Sequence, residues 1–210
     1  LGVSTTFRTE KFKISPRIYW RRGQDIFLLK RDDPSFFRNL HITNKVGVEA
    51  NVSYTSEMGI TGFGIDISRF FISSNNLGNR NRTMANLFLE HRFTVWDNVD
   101  VTPGVAVTYF SDFKFNAFPG LDVGVQLTDN LKAYGNIGYT FRVPTFTDLY
   151  YRDPGTSVNP NLEPESAFAQ ELGIKFSTNN FSGSVAFFNR DSDNLIDYIR
   201  PNTTVSIFTA

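Results

Sequence analysis

Residues 131–142 read Leu-Lys-Ala-Tyr-Gly-Asn-Ile-Gly-Tyr-Thr-Phe-Arg, and this stretch indicates the fold. Its odd positions include Leu131, Ala133, Ile137 and Phe141, whereas lysine, asparagine, threonine and arginine fall on even positions. Because successive side chains of a β-strand point to opposite faces, the alternation predicts a strand with one apolar and one polar face. Strands in soluble domains usually run only about 5–6 residues, so a dozen is long.

The same period of two recurs along the chain. Apolar residues alternate in segments 12–20, 46–54, 63–67, 87–95, 101–109, 121–127, 168–176 and 181–187. Together with 131–142, these segments predict about ten strands. No segment combines helical spacing with capping residues, so no helix is expected. The sequence therefore predicts an all-β, antiparallel fold.

Connections between the predicted strands alternate in length. Short polar turns are expected at 9–11, 56–59, 97–99, 128–130 and 177–180. Longer loops are expected around 31–41, 73–82, 111–118 and 143–165, and again after Asp191. This alternation is typical of an up-and-down transmembrane β-barrel, in which the periplasmic turns are tight and the extracellular loops are long.

The polar face of the strands carries charges that are costly in lipid: Lys13, Arg17, Arg21, Lys45, Glu49, Glu90, Arg92, Asp122, Lys132, Glu171 and Lys175. A cation at the bilayer midplane costs about 2–4 kcal/mol, so we expect the apolar face to contact lipid. Aromatic residues near strand ends are expected to form interfacial girdles: Trp20, Tyr54, Phe70, Trp96, Tyr109 and Phe141. His91 falls on the apolar face, and the sequence offers no reason for it. From the pattern alone, a soluble barrel or sandwich with this apolar face as its core is the alternative.

Composition argues against several classes of function. The 21 basic and 21 acidic residues give a net charge of zero, without the basic excess that nucleic-acid binding needs. The absence of cysteine excludes disulfide scaffolds and thiol catalysis. No apolar run reaches about 18 residues, and no cationic segment leads into an apolar one at the start. His41 and His91 belong to no metal motif, and no nucleophile or phosphate-loop motif is present, so we expect no enzyme, metal or cofactor.

Residues 139–176 contain several motifs in a specific order. A strand that ends in Arg142-Val143-Pro144 leads to a Leu-Tyr loop, then to residues 159–165 (Asn-Pro-Asn-Leu-Glu-Pro-Glu) and to a returning strand at 171–175. This series resembles the barrel of TonB-dependent outer-membrane receptors. Segments 74–78 and 117–120 resemble the cobalamin-transporting branch of that family. The resemblance implies architectural roles for Arg142, Pro144, Asn159, Pro160, Leu162, Pro164, Glu165 and Glu171.

Local chemistry gives several of these residues a structural reading as well. Pro144 lacks a backbone donor and is expected to end its strand. Pro160 and Pro164 are expected to stiffen the return to the sheet. Glu165 is expected to approach backbone N–H groups of the turn. Arg142 and Glu171 share the polar face and are expected to pair across neighbouring strands.

The resemblance implies a barrel of about 22 strands that encloses a plug. Ten strands at about 4.8 Å spacing and about 40° tilt would close to a diameter of roughly 20 Å, which side chains would fill. This chain shows about ten strands and no plug. We therefore expect residues 1–210 to be one region, the middle part of such a barrel, incomplete at both ends and unable to transport alone.

Binding chemistry is expected in the long loops, where aromatic rings lie beside amide and guanidinium groups. The candidate ligand-binding residues are Phe36, Phe37, Arg38, Asn39, Asn75, Asn76, Asn79, Arg80, Arg82, Phe115, Asn116, Phe118, Tyr150, Tyr151, Arg152 and Asp153. Rings offer stacking area, and amides and guanidinium groups satisfy polar edges, which suits a large flat ligand with amide and phosphate groups. A corrinoid such as cobalamin is such a ligand, and ferric siderophores and haem also fit.

Together with the resemblance, this implies a bacterial outer-membrane receptor that imports a scarce nutrient, most simply cobalamin, by TonB-coupled movement of the plug. Its implied partners are outer-membrane lipid, the TonB energy-coupling protein, the nutrient and a surface lipoprotein that caps the loops. Two other classes of function stay open at this point. One is a passive outer-membrane barrel, such as a porin or phage receptor. The other is a soluble β-sandwich that binds carbohydrate or another protein.

Overall fold

A computed structural model of the chain describes residues 1–152, 156–198 and 208–209. Its elements are β1 (Gly2–Ser4), β2 (Phe7–Arg8), β3 (Phe12–Leu28), β4 (Arg38–Ser56), β5 (Gly59–Ser74), β6 (Gly78–Val95), β7 (Val99–Phe110), β8 (Lys114–Thr128), β9 (Leu131–Arg142), α1 (Phe146–Tyr150), β10 (Thr156–Ser157), β11 (Glu165–Ser177), β12 (Ser182–Asp193) and β13 (Phe208–Thr209). Within the described residues, 11 strands form one sheet in the order β1-β3-β4-β5-β6-β7-β8-β9-β11-β12, with β2 beside β3, and β10 pairs with β13. The all-β, up-and-down prediction is confirmed.

The first two strands act as one interrupted strand. Gly2 lies opposite Tyr19 and Phe7 lies opposite Ile14, so β1 and β2 pair with β3 in the same register. The gap between them faces Pro16, which has no N–H to donate to the ladder. The large sheet therefore has ten strand positions among the described residues, as the alternation predicts.

The two ends of the sheet differ, as expected, but less than the sequence predicts. At one end the strands are joined by turns at 57–58, 96–98, 129–130 and 178–181. At the other end lie the long connections 29–37 and 143–164, but also two turns of three residues, 75–77 and 111–113. The predicted loops at 73–82 and 111–118 are therefore wrong. The ladders continue to Ser74 opposite Gly78 and to Phe110 opposite Lys114.

Registers align the apolar residues of neighbouring strands into rows. Ile18, Val48 and Ile67 lie side by side, and 65%, 48% and 44% of their surfaces are exposed. On the opposite face the next row places Arg17 beside Glu49. A soluble core would bury the apolar row, and a sandwich would need a second layer, which the described part of the chain does not supply. The sandwich alternative is therefore wrong, and the apolar face is the lipid face.

Most of the predicted girdle residues lie on the lipid face. Tyr54 packs on Phe12 at one edge of the apolar band, with ring centroids 4.7 Å apart. Near the other edge, Tyr109 packs on Phe115 at 4.9 Å. The Phe141 ring packs on Phe110 and Phe118, which the register places on the inner side. Phe70 also faces the inner side and packs against Phe146 at 5.9 Å. The prediction of both as girdle residues is wrong.

The structure explains His91, which lies on the lipid face near the short-turn end. Its Nδ1 is 2.9 Å from the Thr61 hydroxyl, and its Nε2 is 3.3 Å from the carbonyl oxygen of Met58. The ring also stacks on Phe93 at 5.8 Å. Because both ring nitrogens have partners at the membrane edge, the imidazole is compatible with this face.

One short helix, α1, contradicts the expectation of no helix. Thr145 caps it by accepting a hydrogen bond from the Asp148 N–H at 3.1 Å, and the Asp148 carboxylate accepts from the Thr145 N–H at 2.8 Å. This reciprocal capping box stabilises a helix too short to show a periodic pattern. A membrane-crossing helix is not found among the described residues.

Candidate functional site

The long-loop end of the sheet is closed by an ion pair between β9 and β11. Arg142 Nε donates to Glu165 Oε2 at 2.6 Å, and Nη2 donates to Oε1 at 2.7 Å. The pair lies at the strand ends, beyond the aromatic pair Tyr139–Phe168 that marks the edge of the apolar band. Glu165 is 7% exposed, and its hydrogen bonds with Arg142 lower the pKa of its carboxyl to about 2. This geometry fixes the start of the loop between β9 and β11.

The partners of the two glutamates differ in part from the expectation. The predicted pair of Arg142 and Glu171 is wrong, because the register places Glu171 opposite Asn136 and Glu165 opposite Arg142. Glu171 instead accepts a hydrogen bond from the Tyr134 hydroxyl at 2.8 Å. Glu165 does approach a backbone donor, but that donor is the Ile196 N–H at 2.7 Å, which follows β12, rather than a group of its own turn.

The loop between β9 and β11 crosses to the inner faces of β5 and β6. Its helix α1 buries Phe146 and Leu149, while Pro144 just before it is fully buried. Phe146 packs in one cluster with Ile72 of β5 and with Leu77 of the following turn. Apolar burial on the inner face therefore anchors the loop.

Two arginines of β6 hold the same loop. Arg80 lies over the Tyr150 ring at 3.9 Å. Arg82 lies between the rings of Phe113 (5.1 Å) and Phe146 (4.9 Å), and its Nε donates to Asp112 at 2.7 Å. One buried guanidinium nitrogen of Arg82 has no hydrogen-bond partner among the described residues, and the two rings partly compensate its charge.

Amide side chains complete the attachment. Asn76 donates to the carbonyl oxygen of Arg152 at 2.6 Å and accepts from the Arg152 N–H at 2.9 Å. Asn39, which is buried, donates to the Tyr151 hydroxyl at 3.4 Å and accepts from Asn76 at 3.3 Å. Asn75 acts elsewhere, on the backbone of β4, where it accepts from the Leu40 N–H at 2.8 Å.

We call this assembly the rim cluster, defined by Asn39, Ile72, Asn76, Leu77, Arg80, Arg82, Phe146, Leu149, Tyr150 and Tyr151. Six of these residues are among the predicted ligand-binding residues, and the structure brings them together. Their contacts attach one loop to the sheet. The cluster therefore fixes the backbone on which Arg152 stands.

Of the other candidate ligand-binding residues, Arg152 is attached to the rim cluster through Asn76, and several lie apart from it. Phe36 is exposed beneath the Lys30 ammonium, which is 3.9 Å from its ring centroid, and Phe37 packs edge-on against Phe27. Arg38 and Phe115 lie in strands, and Phe115 shares the outward face with Tyr109. The remaining positions are Asn79 on β6, and Asn116 and Phe118 on β8. Asp153 lies outside the described residues.

The turn before β11 is closed by Asn159. Its side-chain oxygen accepts from the Asn161 N–H at 3.0 Å, and its carbonyl oxygen accepts from the Leu162 N–H at 3.4 Å. Pro160 lies inside this turn, and Pro164 immediately precedes β11. This arrangement is the local turn chemistry that the residue types favour.

Sequence reasoning missed Phe146, Leu149, Ile72 and Leu77. A signal was available for the first two, because Thr145-Phe146-Thr147-Asp148 matches a helix-capping pattern followed by apolar residues. No local signal marks Ile72, since only the path of the loop shows what covers it. In the described residues no cluster of histidine and acidic side chains could hold a metal ion.

The long amphipathic strands, the exposed apolar band and the unequal ends define an outer-membrane β-barrel protein. A family model described as TonB dependent receptor-like, beta-barrel, matches residues 4–209. The chain belongs to this family of transport receptors, which lie in the outer membrane of Gram-negative bacteria.

Individual relatives match at low identity. The chain is 34% identical over 76 residues to the vitamin B12 transporter BtuB of Photobacterium profundum, covering 36% of this chain and 12% of that protein. It is 25% identical over 127 residues to the ferric enterobactin receptor PirA of Pseudomonas aeruginosa, covering 52% and 17%. The crystal structure of a variant of the ferric enterobactin receptor PfeA from Pseudomonas aeruginosa superposes with a TM-score of 0.77 at 13% identity, covering 99% of this chain and 38% of that one. The chain thus spans well under half the length of these relatives.

Proposed function

We propose that residues 1–210 are the middle part of the barrel of an active importer and that the imported nutrient is a corrinoid such as cobalamin. The main support for a corrinoid ligand is the local similarity to a vitamin B12 transporter. Its sequence identity of 34% is higher than the 25% identity to the ferric enterobactin receptor. Loop chemistry supports it, because phenylalanine and tyrosine rings lie near asparagine and arginine groups at the long-loop end. Corrinoids present a large flat ring system with peripheral amides and a phosphate, which rings, amides and guanidinium groups complement.

In this proposal the nutrient binds to the extracellular loops and to the plug, and no covalent step occurs. The rim cluster holds the loop between β9 and β11 and thereby positions Arg152, and the exposed Phe36 of the other long connection is a second proposed contact. A preorganised loop loses less conformational entropy on binding than a free one. TonB then moves the plug, and a surface lipoprotein that caps the loops is a further proposed partner.

A ferric siderophore is the second candidate ligand. The match to the ferric enterobactin receptor PirA covers 52% of the chain, more than the match to BtuB covers. Ferric siderophore complexes are often anionic, and the arginines of the loop end would attract them. Haem is the third ligand that the same aromatic and cationic groups accommodate.

The decisive experiment uses the full-length native receptor in a non-ionic detergent. Cyanocobalamin, ferric enterobactin and haemin are titrated separately, and retained ligand is followed by its visible absorbance after gel filtration. One-to-one retention of cyanocobalamin supports the proposal. Retention of ferric enterobactin or haemin alone would mean that this ligand, and not a corrinoid, is the imported nutrient. A receptor that retains none of them, and whose gene encodes no plug before the barrel, would be a passive barrel.

A matched pair of variants then tests the site. Arg152→Ala removes a candidate contact but keeps both backbone hydrogen bonds to Asn76. Arg142→Gln is the structural control. It weakens the ion pair at the strand ends, which holds the same loop, but removes no proposed contact with the ligand. Loss of one charge-assisted contact is expected to weaken binding roughly tenfold in Arg152→Ala. Unchanged affinity in this variant would remove Arg152 from the site.

A further inference from the structure

The lipid face of β3–β6 has a cationic edge near the long-loop end. In register, one row consists of Trp20, Val46, Arg69 and Thr83, and the row above it consists of Arg22, Asn44, Phe71 and Asn81. Both rows lie on the same face as the apolar row Ile18, Val48 and Ile67. Arg22 and Arg69 therefore point outward, toward lipid, and not into the lumen.

The depth of these arginines follows from the strand geometry. Along β3 the apolar band runs from Phe12, beside Tyr54, to Trp20. Eight residues of a strand tilted by about 40° rise roughly 20 Å, close to the height of about 25 Å expected for the apolar band. Arg69 lies level with Trp20, and Arg22 lies one row higher. Both guanidinium groups thus stand at the headgroup level of the outer leaflet.

Neighbouring side chains hold Arg69 in place. Its Nη2 donates to Asn81 Oδ1 at 3.1 Å, and its guanidinium lies 5.1 Å from the centroid of the Phe71 ring. A guanidinium has five N–H donors, so several stay available to a ligand. No carboxylate occupies either row or the row above, and within the described ranges the Arg22 side chain has neither an ion pair nor a hydrogen bond.

Directly below the arginines lies an open apolar groove of about 820 Å³. Its outward walls are Val3, Ile18, Trp20, Val46, Val48 and Ile67, with Arg69 and Thr83 at its upper end. Trp20 is fixed there by a hydrogen bond of 3.1 Å from its indole N–H to Asn44 Oδ1. The groove therefore joins a surface suited to acyl chains to a pair of unbalanced cations.

We propose that this groove is a binding site for a phosphorylated lipid of the outer leaflet. The phosphate is held by Arg69 and Arg22, because guanidinium groups form charge-assisted, often bidentate, hydrogen bonds with phosphate oxygens. The acyl chains lie on Ile18, Val48 and Ile67. Charge complementarity favours an anionic lipid, since a zwitterionic headgroup or a second copy of this neutral chain would leave the cations unbalanced. The site is independent of the nutrient ligand, because it lies on the opposite face of the sheet.

The test uses the full-length receptor in dodecyl maltoside. Diphosphorylated lipid A is titrated, and bound lipid is counted by native mass spectrometry. Chemically dephosphorylated lipid A and dioleoylphosphatidylcholine are titrated in parallel. The variants are Arg69→Gln and Arg22→Gln, and the matched control is Arg21→Gln, the neighbour of Arg22 on the lumen face. Heat-modifiable migration in SDS gels verifies that each variant is folded.

We expect one tightly held lipid A per receptor and at least about tenfold weaker retention in Arg69→Gln, with a smaller loss in Arg22→Gln and none in Arg21→Gln. Equal retention of phosphorylated and dephosphorylated lipid would overturn the proposal, as would unchanged retention in folded Arg69→Gln. Inorganic phosphate at 10 mM distinguishes a lipid site from a plain anion site. Lipid A that stays bound in the presence of this phosphate supports the proposal, whereas complete displacement of lipid A by phosphate contradicts it.

Discussion

A buried carboxylate such as that of Glu165 is stable only when its charge is compensated. Arg142 and the Ile196 N–H supply that compensation at the loop end. The glutamate thus ties together the end of β9, the start of β11 and the segment after β12. A single residue therefore couples three parts of the chain, which explains its architectural role better than any contact with a ligand.

Glu165→Gln should destabilise the receptor most at neutral pH. The carboxyl pKa is lowered from 4.5 to about 2 in the folded protein, so its stabilising effect is complete above about 4.5 and is lost as the pH falls toward 2. Because Arg142 is 43% exposed, solvent screens the pair, and we expect about 1–2 kcal/mol. Thermal unfolding of both proteins, followed by circular dichroism from pH 7 to pH 2.5, measures the difference. A difference that stays constant across this range would contradict the assigned pKa.

Asn76→Ala tests whether an amide side chain attaches the loop. Two hydrogen bonds to the Arg152 backbone disappear in this variant, each worth about 1 kcal/mol. Hydrogen exchange of the Arg152 amide should therefore accelerate about 10- to 30-fold. Asn75→Ala is the control, because Asn75 bonds only to the backbone of β4 in the described contacts. Equal acceleration in both variants would argue against a specific role of Asn76.

At the scale of elements, α1 is a helix of five residues that exists because of its surroundings. Its capping box fixes the first turn, and packing of Phe146 against Ile72 of β5 and Leu77 of the following turn provides most of the stabilisation, together with the burial of Leu149. The strands on which it packs form independently of it, because their ladders are complete. The loop should therefore detach while the sheet stays intact.

Phe146→Ala removes the largest apolar contact between α1 and the sheet. Truncation of a buried phenylalanine typically costs about 3–5 kcal/mol, and here the cost falls on the attachment of the loop. We expect limited proteolysis to cleave within 143–164 much faster, while the barrel stays heat-modifiable. Phe36→Ala, which truncates an exposed ring in the other long connection, should leave that cleavage unchanged. Slow cleavage in folded Phe146→Ala would show that the hydrogen bonds alone hold the loop.

The strands were predictable from sequence and the loop attachment was not, for a physical reason. Alternation is a local property, so Leu131–Arg142 reveals its own strand and both of its faces. The extension of β5 to Ser74 depends on pairing with β6, and a polar run such as 73–82 conceals it. Likewise, Asn76 is predicted to bind a ligand, because nothing in the sequence shows that residues 146–152 lie next to it. Contacts between distant segments, such as Asn76 with Arg152, leave no periodic trace in the sequence.

For the whole molecule, the large sheet follows an open path from β1 to β12 in the described residues. Open strand edges leave backbone N–H and C=O groups without partners, which lipid does not tolerate. The open path thus supports the proposal that further strands complete the barrel. Because the open edges need partner strands, the sheet is stable only within the full-length receptor, and the variants are therefore measured in that protein.

The orientation of the sheet can be tested with one charge on each face of β6. Leu87 lies on the lipid face in the middle row of the apolar band, between Ile65 and Val107, whereas Met84 lies on the inner face. Leu87→Lys should cost about 2–4 kcal/mol, because a cation at the bilayer midplane loses its hydration. Met84→Lys places the same charge beside water and should change the free energy of unfolding much less. Urea unfolding in lipid vesicles, followed by tryptophan fluorescence, compares the two full-length variants. A larger loss of stability in Met84→Lys would mean that the faces are reversed, and equal losses would contradict the assignment of a single lipid face, since only the lipid-facing residue lacks water for the new ammonium group.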